Sequence, residues 1–189
     1  MFRRTFLGVA AVLAFSALTP LAASADRTFN VVPLDGAHWQ AGVGLVDASG
    51  NGQVGLLQTV TTAGHTDVAQ LNGFDRQPTS ALHSVGFAVG LLPNGINPCW
   101  LIEFTGPDGT QGMVHVIASA DRSDMTRTDL GGGFTQWTWT PRTLPAGTID
   151  RVVIGLMAAT TPSPDTGPVA FDDFSANGLT ATSGGQANG

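Results

Sequence analysis

Short apolar runs alternate with clusters of glycine, proline and asparagine from Phe29 onward, and no stretch keeps the helical apolar period long enough for a substantial amphipathic helix. Asn51-Gly52, Asn72-Gly73, Asn94-Gly95 and Asn177-Gly178 are pairs that readily take the positive φ angles of tight turns. The runs between them predict strands over Phe29–Leu34, Gln53–Val60, Leu82–Val89, Cys99–Thr105, Gly112–Ser119, Phe134–Thr140, Ile149–Met157 and Val169–Ala176, most of them rich in Val, Ile, Phe, Trp and Thr. Alternation along Trp100-Leu101-Ile102-Glu103-Phe104 puts Trp100, Ile102 and Phe104 on one face and Glu103 on the other. Gly106-Pro107-Asp108-Gly109 reads as the hairpin loop that returns the chain into Met113–Ala118.

About eight short strands, several apolar on both faces, cannot bury themselves as one open sheet, and two packed sheets follow. The predicted fold is all-β, a jelly-roll β-sandwich over residues 26–179, with Thr180–Gly189 too poor in apolar side chains to offset ordering entropy and read as a frayed tail. The first twenty-five residues have a different pattern. Arg3 and Arg4 precede an apolar stretch from Phe6 to Leu18, and Ala23-Ser24-Ala25 supplies a small-x-small cleavage site, so residues 1–25 read as a signal peptide and the mature chain as starting near Asp26. Arg3-Arg4-Thr5-Phe6-Leu7 also fits a twin-arginine leader, leaving Sec and twin-arginine export both open. A secreted or periplasmic protein, with no membrane insertion after cleavage, is the expectation.

Charge narrows the choice of partner. The formal net charge is −6, all the basic residues are arginines, and loss of Arg3 and Arg4 with the leader makes the balance more acidic still. An acidic, lysine-free surface lacks the cationic footprint that nucleic acid or anionic lipid demands, which leaves a neutral or cationic partner. Cys99 is the one cysteine, so no intrachain disulfide forms; between Pro98 and Trp100 it reads as a buried thiol acting as a small hydrophobe.

Toward the C-terminus, Asp165-Thr166-Gly167-Pro168-Val169-Ala170-Phe171-Asp172-Asp173-Phe174-Ser175-Ala176-Asn177-Gly178 resembles the closing strand of galactose-binding-like jelly-roll domains, and Leu144–Ile149 with Arg151-Val152-Val153-Ile154 resembles their penultimate strand. The resemblance covers the last third of the chain. It implies a carbohydrate-binding-module-like fold and a structural calcium ion, with Asp172 at the position of the acidic ligand and Asp35 and Asp47 as candidate partners. Asp172 and Asp173 read equally well as solvated carboxylates at a strand edge.

Other candidates come from the residues themselves. Asp47-Ala48-Ser49-Gly50-Asn51-Gly52 spaces oxygen-bearing side chains as a calcium loop does, but Gln58 stands at the twelfth position and a hairpin turn accounts for the same residues. Trp137 and Trp139 share a face of one strand. Turned outward, they form a platform for sugar rings, with Gln136, Arg142, Arg122 and Arg127 as polar neighbours; turned inward, they are core. Trp39 and Trp100 carry the same ambiguity, and the absence of tyrosine weakens the sugar-binding case. Glu103, the one glutamate, pairs with His115 if the hairpin register sets them opposite, giving an acid-base pair. His38, His65, His83 and His115 show no metal-site spacing, and no nucleophile elbow, phosphate loop or dinucleotide fingerprint occurs.

The sequence therefore predicts a non-catalytic exported module that binds a glycan or cell-surface polymer through Trp137, Trp139, Gln136 and Arg142, with calcium at Asp172. The alternatives are a structural or adhesive extracellular protein with no small-molecule ligand, and a glycan-active hydrolase or lyase.

Overall fold

The computed structural model describes residues 29–45, 53–61, 63–158, 166–182 and 186–188. The leader, Asp47 and the rest of the Asn51-Gly52 loop lie outside them. In chain order the strands are β1 (Asn30–Pro33), β2 (His38–Gln40), β3 (Gly55–Val60), β4 (Gly64–Asn72), β5 (Val85–Gly90), β6 (Ile96–Thr105) and β7 (Gln111–Ile117). They continue with β8 (Met125–Gly131), β9 (Phe134–Trp139), β10 (Thr148–Ala158), β11 (Gly167–Ala176), β12 (Leu179–Thr182) and β13 (Gln186–Asn188). Every strand pair is antiparallel.

The strands make a two-sheet sandwich. One sheet runs β7-β6-β10-β4-β1, the other β2-β3-β11-β5-β9-β8, and the hairpin of β12 and β13 bridges β11 to β1 along one side. The chain crosses repeatedly between the sheets, as from β4 to β5 and from β10 to β11, so both inner faces are built from distant segments. Trp100 of β6 is sealed between them, its ring 4.9 Å from Phe87 of β5 and 6.1 Å from Trp139 of β9. Phe171 and Phe174 of β11 extend this aromatic layer.

All eight predicted strands are present, and the all-β sandwich is confirmed. Five further strands are not among the predicted runs. Ala181 of β12 is buried and β13 pairs with β1, so residues expected as a frayed tail instead complete two sheet edges, where their backbone groups satisfy otherwise unpaired ladder donors and acceptors.

Two one-residue bulges decide which side chains face outward. Ile154 pairs with Ala69 but Gly155 with Asp67, so Val68 is an extra residue on β4. Strict alternation would have put His65 and Asp67 on the same face as Ala69 and Leu71, which is core. The bulge turns them to the outside. On β10, Ile149 pairs with Phe104 and Arg151 with Glu103, so Asp150 is extra and Arg151 joins the outer face while Ile149 stays in the core.

Candidate functional site

The outer faces of the two sheets differ. On the β3-β11-β5-β9 side, Ala88, Phe134 and Ala170 form a second apolar cluster covered by Val43, Leu45 and Leu57. On the β7-β6-β10-β4 side, the outer face is polar and open. It carries His65 and Asp67 from β4, Arg151 from β10, Cys99 and Glu103 from β6 and His115 from β7.

Arg151 organises the charges. Its Nη2 donates to Asp67 Oδ2 at 3.0 Å, and Nη1 lies 3.6 Å from Glu103 Oε1. The other Asp67 oxygen, Oδ1, stands 3.3 Å from His65 Nδ1. His65 meets His115 edge to face, with ring centroids 5.4 Å apart. The Cys99 thiol lies within 4.8 Å of a ring nitrogen of each imidazole, fully buried and outside the apolar core cluster. Gly155, cross-strand from Cys99, makes the room: a Cβ there would fall 2.7 Å from His65 Nε2 and 3.2 Å from Cys99 Sγ.

Burial, and then the charge of Asp67, push the Cys99 thiol up to about 12. Burial and the neighbouring His65 hold His115 below the usual imidazole range. A neutral, enclosed thiol is a poor nucleophile, so His65 and Asp67 beside it do not amount to an activated cysteine triad.

Toward the hairpin end of the same face, Glu103, Phe104, Gln111, Gly112, Met113 and Asp150 line a cleft of about 400 Å³. Thr105 Oγ1 donates to Asp150 Oδ2 at 2.8 Å and fixes that carboxylate at its bulge. Phe104 seats its ring where a side chain at residue 112 would be, since a Cβ on Gly112 would come within 2.4 Å of it. Met113 is 62% exposed, an unusual apolar surface on an edge strand.

The residues singled out from sequence do not gather in one place. Trp139 is core, and its indole N–H donates to Asp124 Oδ2 at 3.0 Å. Trp137 also faces inward, half-buried, with the Arg127 guanidinium 5.7 Å from its ring centroid. The inward alternative therefore holds for this strand. Gln136 lies on the opposite face of β9, and Arg142 sits in the following loop, donating to Ser123 Oγ at 2.8 Å. Arg122 forms a two-point pair with Asp124. Trp39 packs against Phe174, and Trp100 is the centre of the core.

The hairpin register places Glu103 opposite Met113 and Leu101 opposite His115, because the loop is shorter than the acid-base pairing requires. Glu103 and His115 share a face but are not directly paired.

Asp172 is buried at 1% exposure, and its two oxygens accept backbone N–H groups of Leu45 and Asp173, both at 2.8 Å. Calcium takes about six to eight oxygen ligands. The described surroundings of Asp172 supply N–H donors instead, and Asp35 is engaged elsewhere, accepting from Asp67 N at 3.2 Å. Asp47, the other candidate partner, lies outside the described residues. Burial, then the charge of Asp172, pushes the Asp173 carboxyl up.

No family model and no curated protein matches the chain. Among solved structures, the enzymatically active domain of bacteriophage CBA120 tailspike protein 4 is similar at a TM-score of 0.42 and 12% identity, over 79% of this chain. The chain spans 19% of the length of that one.

Proposed function

We propose that the chain is an exported binding module that takes a neutral or amine-bearing saccharide in the cleft between Glu103, Gln111, Met113 and Asp150. The observation that carries this reading is the convergence of two carboxylates and an amide beside the exposed Met113 side chain, in a cleft of about 400 Å³. Carboxylate pairs accept hydrogen bonds from vicinal hydroxyls, while the exposed Met113 side chain offers apolar surface to the C–H face of a sugar. The acidic lining, like the net charge of −6, repels anionic polymers. The volume suits one or two sugar rings, since small-ligand pockets run from about 300 to 1,000 Å³. The leader pattern and the galactose-binding-like closing strand point the same way.

A panel of neutral and amino-sugar oligosaccharides, titrated by calorimetry against the protein and its Glu103→Gln and Asp150→Asn variants, tests the reading. Binding that falls at least about tenfold in each variant without a change in melting temperature supports it. No heat with any member of the panel removes it.

Exposed Met113 and Ile117 on edge strand β7 favour a second reading, self-association along that edge. Sedimentation at several concentrations decides it, a Met113→Lys variant abolishing any dimer.

A further inference from the structure

We infer that His65, Cys99 and His115 form a binding site for a single transition-metal ion of the zinc and copper class. Three strands of one sheet contribute one donor each: β4 gives His65, β6 gives Cys99 and β7 gives His115, with β10 and its Gly155 between β4 and β6. Their ligand atoms all lie within 4.8 Å of one another. An ion held at about 2.0–2.3 Å from each would need donors about 3.5 Å apart, a closure of about 1 Å that rotation of the two imidazoles supplies.

Gly155 lets the donors come together. A Cβ there would fall 2.7 Å from His65 Nε2 and 3.2 Å from Cys99 Sγ, so any other residue would push the imidazole away from the thiol. The bulge at Val68 is the second contributor, because it alone turns His65 out of the core side and toward Cys99.

Asp67 completes the arrangement from behind. With Oδ2 held by Arg151, its Oδ1 is buried without a hydrogen-bond partner 3.3 Å from His65 Nδ1, so a turn of the imidazole that presents Nδ1–H to it leaves Nε2 as the free lone pair. Carboxylate–histidine–metal relays of this form fix the ring and raise its basicity.

The donor set selects the metal. One sulfur and two imidazole nitrogens suit borderline and soft ions, whereas calcium and magnesium demand oxygen. On binding, Cys99 gives up its proton to solvent and a sulfur–metal bond replaces S–H. Three protein donors leave one coordination position for water or another exogenous ligand. The ion enters from the imidazole side, since His65 and His115 are accessible and Cys99 is sealed.

The test uses the full mature chain, stripped with a strong chelator and titrated with Co²⁺, Zn²⁺ and Cu²⁺ under reducing conditions that keep the thiol free, with Ca²⁺ as control. The inference predicts one equivalent bound, a sulfur-to-metal charge-transfer band with Co²⁺ or Cu²⁺, and a raised melting temperature with Zn²⁺. Cys99→Ser removes the band. His115→Ala, a change at an accessible edge position that leaves the fold intact, weakens binding at least about tenfold, and Asp67→Asn does so by about ten- to a hundredfold. Gly155→Ala lowers affinity by displacing the His65 imidazole. No stoichiometric binding, or binding that persists unchanged in His115→Ala and without the charge-transfer band, overturns the inference. The cleft residues Glu103 and Asp150 are not donors to the ion, and Cys99 and His115 do not line the cleft, so Cys99→Ser and His115→Ala report on metal binding apart from saccharide binding.

Discussion

Replacing Asp124 by asparagine should destabilise the fold by about 1–3 kcal/mol at neutral pH. The carboxylate accepts two bonds from Arg122, at 2.9 and 2.7 Å, and one from Trp139 Nε1 at 3.0 Å. Arg122 is 42% exposed, so its share is screened and worth about 0.2–1 kcal/mol. The larger part belongs to the indole. Trp139 is core, and an N–H left unpaired there carries a desolvation cost of about 1–3 kcal/mol, because an amide cannot satisfy Arg122 and Trp139 as the carboxylate does. The Arg122 hydrogen bonds, with help from Trp139, hold the Asp124 carboxyl down to about 2 from 3.8. A folded-state pKa below the unfolded value contributes stability that is complete above 3.8 and is lost as pH falls through about 2. Urea unfolding of wild type and variant at a series of pH values should therefore show a constant gap from pH 7 to about 5 that narrows toward about pH 2. Equal midpoints at pH 7, or a gap that stays constant into strong acid, would refute the reasoning.

Asp172→Ala leaves the half-buried Leu45 N–H without its acceptor and empties a buried side-chain position, and should cost about 1–3 kcal/mol, measured by denaturant unfolding; added calcium should leave the wild-type melting temperature unmoved. Gly44→Ala strikes the same place from the other side: its Cβ would fall 2.5 Å from Asp172 Oδ2, and a loss of about 1–3 kcal/mol is expected. Asn177 does more than turn the chain, since its side chain accepts from His83 N and Ser84 N and donates to Ala81 O. Asn177→Gly keeps the positive φ of 53° but should still lower thermal stability, whereas an unchanged melting temperature would mean that these bonds contribute nothing.

Strands were legible in the sequence wherever both periodicity and β-branched content agreed, as in Cys99–Thr105 and Ile149–Met157. β4 escaped because Gly64-His65-Thr66-Asp67 reads as a polar loop, and its alternation is broken at Val68. That break also hid the polar face. Read with strict period, His65 and Asp67 fall on the side of Leu71, so nothing in the spacing of the histidines brings His65 to His115 and Cys99. The hairpin of β6 and β7 was foreseen with Glu103 and His115 on one face, but loop length sets the register, and Glu103 meets Met113 instead. Trp137 and Trp139 were correctly placed on a common face. Which side of the sheet that face would take depends on the partner sheet, and the Asp124 contact that fixes the Trp139 indole N–H comes from a loop segment with no local signal.

The cleft is the centre of the functional account, and backbone amide NMR of the isotopically labelled mature protein during titration with neutral and amino-sugar oligosaccharides addresses it most directly. The account predicts saturable shifts confined to Glu103, Gln111, Gly112, Met113 and Asp150. A spectrum that no saccharide perturbs, or shifts that gather around Gln136 and Arg142 instead, would contradict it.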